Sequence, residues 1–356
     1  MKDIFAENGY LDADFILENS LTFNHIIAAR GVGKSYLTKR FLDLTENPTE
    51  TPLLYVRRSN VKLENSFSKT GSDFLKQDWF PNAKVDYSEK QAIGKLYLSE
   101  EDYANDRPAI IGVSMSTFQN KTGIDLTNVY TVIFDEYIPQ KGERPIKHEF
   151  QAYKNIMELV FRNRDEAEQS KIKVWFFGNS NAIMSNILIG YRLISKCYEM
   201  CKKRAGKRYV LEKMPEQNTM MLMIFSSPIS EKKAKNPFYK SLPESRKRME
   251  LYNEFSDLDE THIAHRNLRE YVHDIRTPLF SIWVHKSELK FYVTKRMDSQ
   301  CSYTYSNTNT DLEVWQSTAK KAFKPWFLEG RIDFSDYECQ CDFLASFDCA
   351  SWNDIV

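Results

Sequence analysis

Several features that would narrow the reading of a 356-residue chain are missing. There is no net charge: 49 Lys and Arg balance 49 Asp and Glu. That excludes a wholly basic nucleic-acid coat, though not a local basic surface. No apolar run approaches the roughly 20 residues that cross a bilayer. The opening stretch, MKDIFAENGYLDADF, lacks a basic region followed by an apolar core, so no secretory signal is expected. The six cysteines (Cys197, Cys201, Cys301, Cys339, Cys341 and Cys349) fall in C-x-x-x-C and C-x-C spacings without a second half. They read as reduced thiols, not as a zinc site. What is present is 42% hydrophobic, 13% aromatic and 28% charged residues, enough for two folded domains.

The most informative stretch is NHIIAARGVGKSY, residues 24–36. An apolar run meets a glycine-rich turn that ends in Gly33-Lys34-Ser35, with a helical pattern following. This is the tail of a phosphate-binding loop, in which Arg30, Gly31, Val32, Gly33, Lys34, Ser35 and Tyr36 would surround a nucleotide. Lys34 would reach the terminal phosphates and Ser35 would bind Mg²⁺, while the positive end of the helix faces the anion. The first glycine of the usual pattern is replaced by Ala28, which is tolerable if its φ is negative.

Residues 129–136, VYTVIFDE, supply the second motif. A β-branched and aromatic run suits a strand buried on both faces, with Asp135 and Glu136 at its carboxyl end, where open α/β sheets bind ligands. Asp135 would hold Mg²⁺ and Glu136 would polarise the attacking water. Lys34 and Asp135 lie 101 residues apart, room for two intervening strands at 52–57 and 109–114. That spacing predicts a P-loop ATPase core of the added-strand, catalytic-glutamate class. A further strand, 172–178, should lie beside the first and end in the polar run Asn179-Ser180-Asn181, from which Asn181 would touch the γ-phosphate or the water, although such a run is also an ordinary turn. Arg162 and Arg164 close an amphipathic helix over 149–165. One of them could serve as an arginine finger in a neighbour's site, although a cation at a helix C-terminus is also favoured on its own.

The remaining chain reads as a hairpin at 85–98 and a strand pair at 209–214 and 220–225 that finishes the sheet. Residues 196–248 hold fourteen basic and five acidic side chains. They form either a solvated connector or a surface for phosphate backbones. The expected division is an ATPase domain at 1–225, a linker with one short basic helix at 226–258, and a second α/β domain at 259–356. In the latter, strands are expected at 279–285 and 289–294 and a helix at 314–323. Its end is acidic (Asp333, Asp336, Glu338, Asp342, Asp348 and Asp354 against Arg331), a face suited to water or a basic protein.

The run AARGVGKS, then YVRR at 55–58, VIFDE at 132–136, VFRNR at 160–164 and SNA at 180–182, resembles the DNA-packaging ATPases of phi29-like bacteriophages. The resemblance implies a homo-oligomeric ring, five subunits in the family, that uses ATP and Mg²⁺ to drive double-stranded DNA into a viral prohead. The ring acts in the host cytoplasm at the portal (connector) protein, with a scaffold RNA as a further partner. It favours Arg162 as the finger acting in trans, and by position Lys121, Lys141, Arg144 and Lys147 as DNA contacts. It also implies a C-terminal domain resembling a vestigial RNase H-like nuclease. Strand 279–285 holds no acid, and none occurs between Asp274 and Glu288. If that strand is the first of the domain, two-metal cutting lacks its carboxylates. The competing readings are a DNA-independent nucleotide phosphotransferase, a terminase with a working nuclease, and a cellular P-loop DNA pump.

Overall fold

A computed structural model describes residues 3–68, 74, 79–118, 124–139, 143, 146, 148–179, 185–252, 262–298 and 300–347, without the side chains of 245, 246, 249 and 250. The chain divides into two compact units. The first comprises Met1–Lys141, Ala152–Asn181 and Lys202–Phe255, and the second Gly142–Gln151, Ala182–Cys201 and Ser256–Val356. Residues 142–151 and 182–201, which the sequence assigns to the first domain, thus group with the second unit.

The first unit is built on nine strands: β1 (Phe23–Ala28), β2 (Leu53–Arg57), β3 (Lys84–Ser88), β4 (Ile93–Tyr97), β5 (Ile110–Ser114), β6 (Thr131–Asp135), β7 (Lys173–Gly178), β8 (Tyr209–Met214) and β9 (Thr219–Ile224). They form one sheet in the order β3-β4-β5-β2-β6-β7-β1-β9-β8. From β5 to β9 every pairing is parallel, while the β3–β4 hairpin and β8 are antiparallel edges. The central strands are almost wholly apolar because helices cover both faces of a parallel sheet. β7 lies between β1 and β6, as its sequence context predicts. The helix Lys34–Asp43 packs Phe41 on Trp175 of β7, ring centroids 4.4 Å apart.

The segment expected to be a linker holds three helices: Pro228–Ala234, Pro237–Ser241 and Glu244–Leu251. Ser227-Pro228 and Asn236-Pro237 each place a capping side chain before a proline at the first helical position, accepting hydrogen bonds from Ser230 N and Phe238 N. These two helix starts were readable, and the expectation of a single helix missed them.

The second unit contains a five-stranded sheet of β10 (Tyr271–Arg276), β11 (Ser281–His285), β12 (Phe291–Thr294), β13 (Tyr303–Thr304) and β14 (Ile332–Phe334), ordered β13-β10-β11-β12-β14. β10 to β12 form an antiparallel meander, and β13 and β14 add in parallel at its two edges. The strand at 281–285 is therefore not the first: β10 precedes it and carries Asp274 at an irregularity between His273 and Ile275. β10 escapes sequence reading because its outward positions, Val272, Asp274 and Arg276, are partly or fully exposed. The expected helix at 314–323 is longer, Asn309–Leu328, capped by Thr308. Its Trp315 is fully buried and donates from Nε1 to Ser346 Oγ at 2.9 Å. Among the described residues the acidic end is not an open face, and Asp348 and Asp354 lie outside them. Arg266 pairs with Asp333 at 2.6 Å, Lys295 with Glu338 at 2.7 Å and Arg192 with Asp342 at 3.0 Å, and Asp336 caps the helix Tyr337–Ala345.

Candidate nucleotide site

β1 ends at Ala28, and the chain turns through residues 29–33 into the helix that starts at Lys34. Gly31 and Gly33 carry φ of 82° and 104°, a region that glycine enters without cost to a Cβ. Ala28 lies in strand conformation and is absent from the positive-φ positions, so the missing first glycine demands nothing its methyl group cannot meet. The Val32 carbonyl accepts from Leu11 N–H at 3.0 Å, which ties the loop to the N-terminal segment. Val32 itself is buried and does not line the cavity.

Lys34 is 8% exposed and donates from Nζ to the carbonyls of Ala28 and Ala29 at 2.8 and 2.9 Å. Burial pushes its ammonium down to about 8, against the pull of Asp135 and Glu136. A charged amine resting on carbonyls at the mouth of a glycine-rich loop is placed to exchange those contacts for phosphate oxygens.

Asp135 and Glu136 stand at the end of β6. Asp135 Oδ2 accepts from Tyr55 Oη and from Arg57 Nη1, both at 2.6 Å. Glu136 lies 3.0 Å from Lys62 Nζ and 3.6 Å from Arg57 Nη2, and it accepts from Asn179 Nδ2 at 3.4 Å. Burial raises the Glu136 carboxyl, but Arg57 and Lys62, helped by Arg30, outweigh it and hold the group below the usual carboxylate range. Its φ is 54°, unusual for a residue with a side chain and a form of local strain common at functional sites.

Arg30, Gly31, Gly33, Lys34, Ser35, Tyr36, Asp135 and Glu136 all line one cavity of about 610 Å³. That is within the size range of small-molecule sites. Asn8, Tyr10, Trp79, Asn179 and Lys233 complete the lining. Asn179 belongs to the polar run expected at the end of β7, whereas Asn8, Tyr10, Trp79 and Lys233 carried no binding signal because no motif or local periodicity marks them. Tyr55, Arg57 and Lys62, which hold the acids, were equally silent as ligands of the site. Of the polar run after β7, Asn179 is the residue brought to Glu136, and Asn181 lies outside the described residues. Lys121, Lys141, Arg144 and Lys147 also lie outside them.

The donor set fits Mg²⁺. The ion keeps several waters and is commonly held by one or two carboxylates together with substrate phosphates. Ser35 and Asp135 face the same cavity, and among the described residues no group of three or more His, Cys, Asp or Glu forms an all-protein cage.

The two arginines after the helix Glu149–Phe161 have different fates. Arg164 is buried, donates from Nη2 to the Thr127 carbonyl and lies over the Tyr130 ring, 4.3 Å from its centroid. Arg162 is exposed and does not line the cavity of its own chain.

The sheet, the loop and the paired acids define an α/β protein with a mostly parallel sheet, whose cavity gathers a glycine-rich loop, a lysine and two carboxylates. The sequence agrees more specifically: residues 7–321 match the Podovirus DNA encapsidation protein (Gp16) family, and the chain belongs to it. It is 25% identical over 335 residues to a DNA packaging protein of Bacillus phage B103, covering 88% of this chain and 92% of the relative. Two solved structures share the fold. The Phi-28 gp11 DNA packaging motor aligns with a TM-score of 0.62 at 15% identity, covering 95% of this chain and 96% of that one. A chain of the bacteriophage Phi-29 viral genome packaging motor assembly aligns at 0.57 and 17%, covering 99% and 100%. No described helix is long and apolar enough to cross a membrane.

Proposed function

We propose that this DNA-packaging family member is the ATP-hydrolysing subunit of a ring motor that moves double-stranded DNA into a prohead. The observation that carries the reading is the convergence of Lys34, Ser35, Asp135 and Glu136 on one cavity. The order β6-β7-β1, in which one strand separates the loop strand from the acidic strand, supports the added-strand, catalytic-glutamate class. In this reading Lys34 leaves the Ala28 and Ala29 carbonyls for the phosphates. Mg²⁺, held by Ser35 and Asp135, supplies charge neutralisation on those phosphates. Glu136 stays ionised at neutral pH beside Arg57 and Lys62, and it orients and deprotonates the attacking water. Asn179 fixes the direction of the Glu136 carboxylate. Arg162 completes a neighbour's site, since Arg164 is already committed within its own chain.

The five-subunit ring, the portal and a scaffold RNA are proposed as partners on the likeness to the Phi-29 assembly and on the family. For the second unit we propose an RNase H-like domain without cutting activity. Asp274 does put one acid on the first strand, β10, but among the described residues no three His, Cys, Asp or Glu gather where two metals could be held, and this supports the reading. Metal-dependent nicking of DNA by the full chain would overturn this. The experiment that tests the motor reading is the ATPase rate with and without DNA, on protein whose assembly state is measured in the same tube. The expected outcome is hydrolysis by the assembled form that DNA stimulates. Hydrolysis indifferent to DNA would favour a phosphotransferase instead.

A further inference from the structure

The cavity holds one cation that belongs to no motif. Lys233 comes from the last turn of the helix Pro228–Ala234, some 200 residues after the loop it meets. It lines the cavity with Arg30, Gly31 and Lys34. Its Nζ donates to the Arg30 carbonyl at 3.4 Å, a long contact for a charged donor. A side chain at Gly31 would overlap that ammonium as it stands, so Lys233 rests directly against the loop backbone.

The position of Lys233 is built. Ser227 caps its helix, with Ser227 and Ser230 hydroxyls 2.9 Å apart and both residues buried. At the other side, a Cβ at Gly9 would meet Pro228 and Ile229 at 3.1 and 3.4 Å, so the helix sits closely on the N-terminal turn that supplies Asn8 and Tyr10. Among the described residues neither Lys233 nor Arg30 pairs with a carboxylate. The charges that Lys34 feels at short range include Arg30 and Lys233, both of which disfavour its own ammonium. Asp135 and Glu136, in the same cavity, act on Lys34 in the opposite sense, and a phosphate at the loop would meet Arg30 and Lys233 as well as Lys34.

We propose that Lys233 is a phosphate-contacting residue of this cavity, exchanging the Arg30 carbonyl for a phosphate oxygen of the bound nucleotide. This rests on the reading of the cavity as a nucleotide site. Lys233 then acts in cis, on the same chain as Lys34, and adds a charge-assisted contact from outside the loop. It also brings the first of the three helices before residue 255 into direct register with nucleotide occupancy.

The test is the affinity of the full-length protein for a fluorescent ATP analogue with Mg²⁺, measured for the unaltered chain and for Lys233→Ala, Lys233→Arg and Lys34→Ala. Loss of one charged hydrogen bond predicts that Lys233→Ala weakens binding by about tenfold or more. Lys233→Arg should restore most of it, and the salt dependence of binding should be shallower in Lys233→Ala. Lys233 is only half-buried at a helix end, and Lys233→Gln serves as a second neutral variant if the alanine form unfolds. If Lys34→Ala loses binding while both neutral Lys233 variants bind as the unaltered chain does, the inference fails and the nucleotide site stands. If Lys34→Ala also binds normally, the nucleotide reading itself fails.

Discussion

The buried ammonium of Lys34 makes nucleotide affinity depend on pH in a defined direction. In the empty protein its pKa is about 8, lowered from 10.5 by burial. A shift of that size costs the empty charged state about 3 kcal/mol relative to an exposed lysine. The sign follows from linkage. The folded, empty state binds this proton less readily than the unfolded chain, so stability without ligand should rise as pH climbs through about 8 toward 10.5. A bound phosphate reverses the preference because it interacts with the charged form. Binding therefore requires the proton, and apparent affinity should be nearly constant below about pH 7. It should then fall by about tenfold between roughly pH 7 and pH 9, about 1.4 kcal/mol. Titration of a fluorescent ATP analogue across that range, at constant ionic strength, measures the effect. Lys34→Arg is the control, since an arginine does not titrate there. A flat profile to pH 9, or the same slope in Lys34→Arg, would refute the assignment of Lys34 as the titrating phosphate ligand.

Glu136→Gln should keep ATP binding while lowering single-turnover hydrolysis by about a hundredfold or more, the usual scale of a lost general base; wild-type turnover would remove Glu136 from that role. Arg164→Ala should lower stability by about 2 kcal/mol in denaturant unfolding, because it deletes a buried charged donor and leaves the Thr127 carbonyl without it. Arg162→Ala should leave stability within about 0.5 kcal/mol, as surface changes do, and yet abolish ATPase activity of the assembled form. Mixing Arg162→Ala with Glu136→Gln subunits should recover part of that activity if Arg162 acts in trans, and none if it acts in cis. Ala28→Gly should change neither affinity nor rate by more than about twofold, since the strand geometry at that position suits alanine.

The parts of the site that the sequence revealed are those written in contiguous motifs. The loop from Arg30 to Tyr36 and the strand ending in Asp135-Glu136 combine buried apolar runs with polar residues at their carboxyl ends, and a one-dimensional pattern records that directly. The placement of β7 followed from the same logic. Asn8, Tyr10, Trp79 and Lys233 were invisible because what brings them to the cavity is the tertiary course of distant segments, not local periodicity. The N-terminal residues carry no motif, yet the Leu11 to Val32 hydrogen bond ties them to the phosphate loop. Likewise Arg192 and Ser195 meet Asp342 and Glu338 some 150 positions away, and the acidic C-terminal stretch read as a face for water or a basic protein because pairing at that distance leaves no local pattern. The choice between Arg162 and Arg164 was left even by the residues themselves. Burial now separates them, with Arg164 over the Tyr130 ring and Arg162 in solvent.

The second unit's claim on residues 182–201 bears on how the protein can be cut. Arg192 pairs with Asp342, Ser195 donates to Glu338 at 2.6 Å, and Tyr198 stacks on Tyr337 with centroids 5.4 Å apart. A chain shortened after residue 255 would keep Arg192, Ser195 and Tyr198 but lose all three partners, together with the wall around Asp342. The sheet from β1 to β9 would retain every strand. Limited proteolysis of such a fragment should therefore open first within 182–201, an internal stretch far from the new terminus, while the same bonds in the whole protein resist.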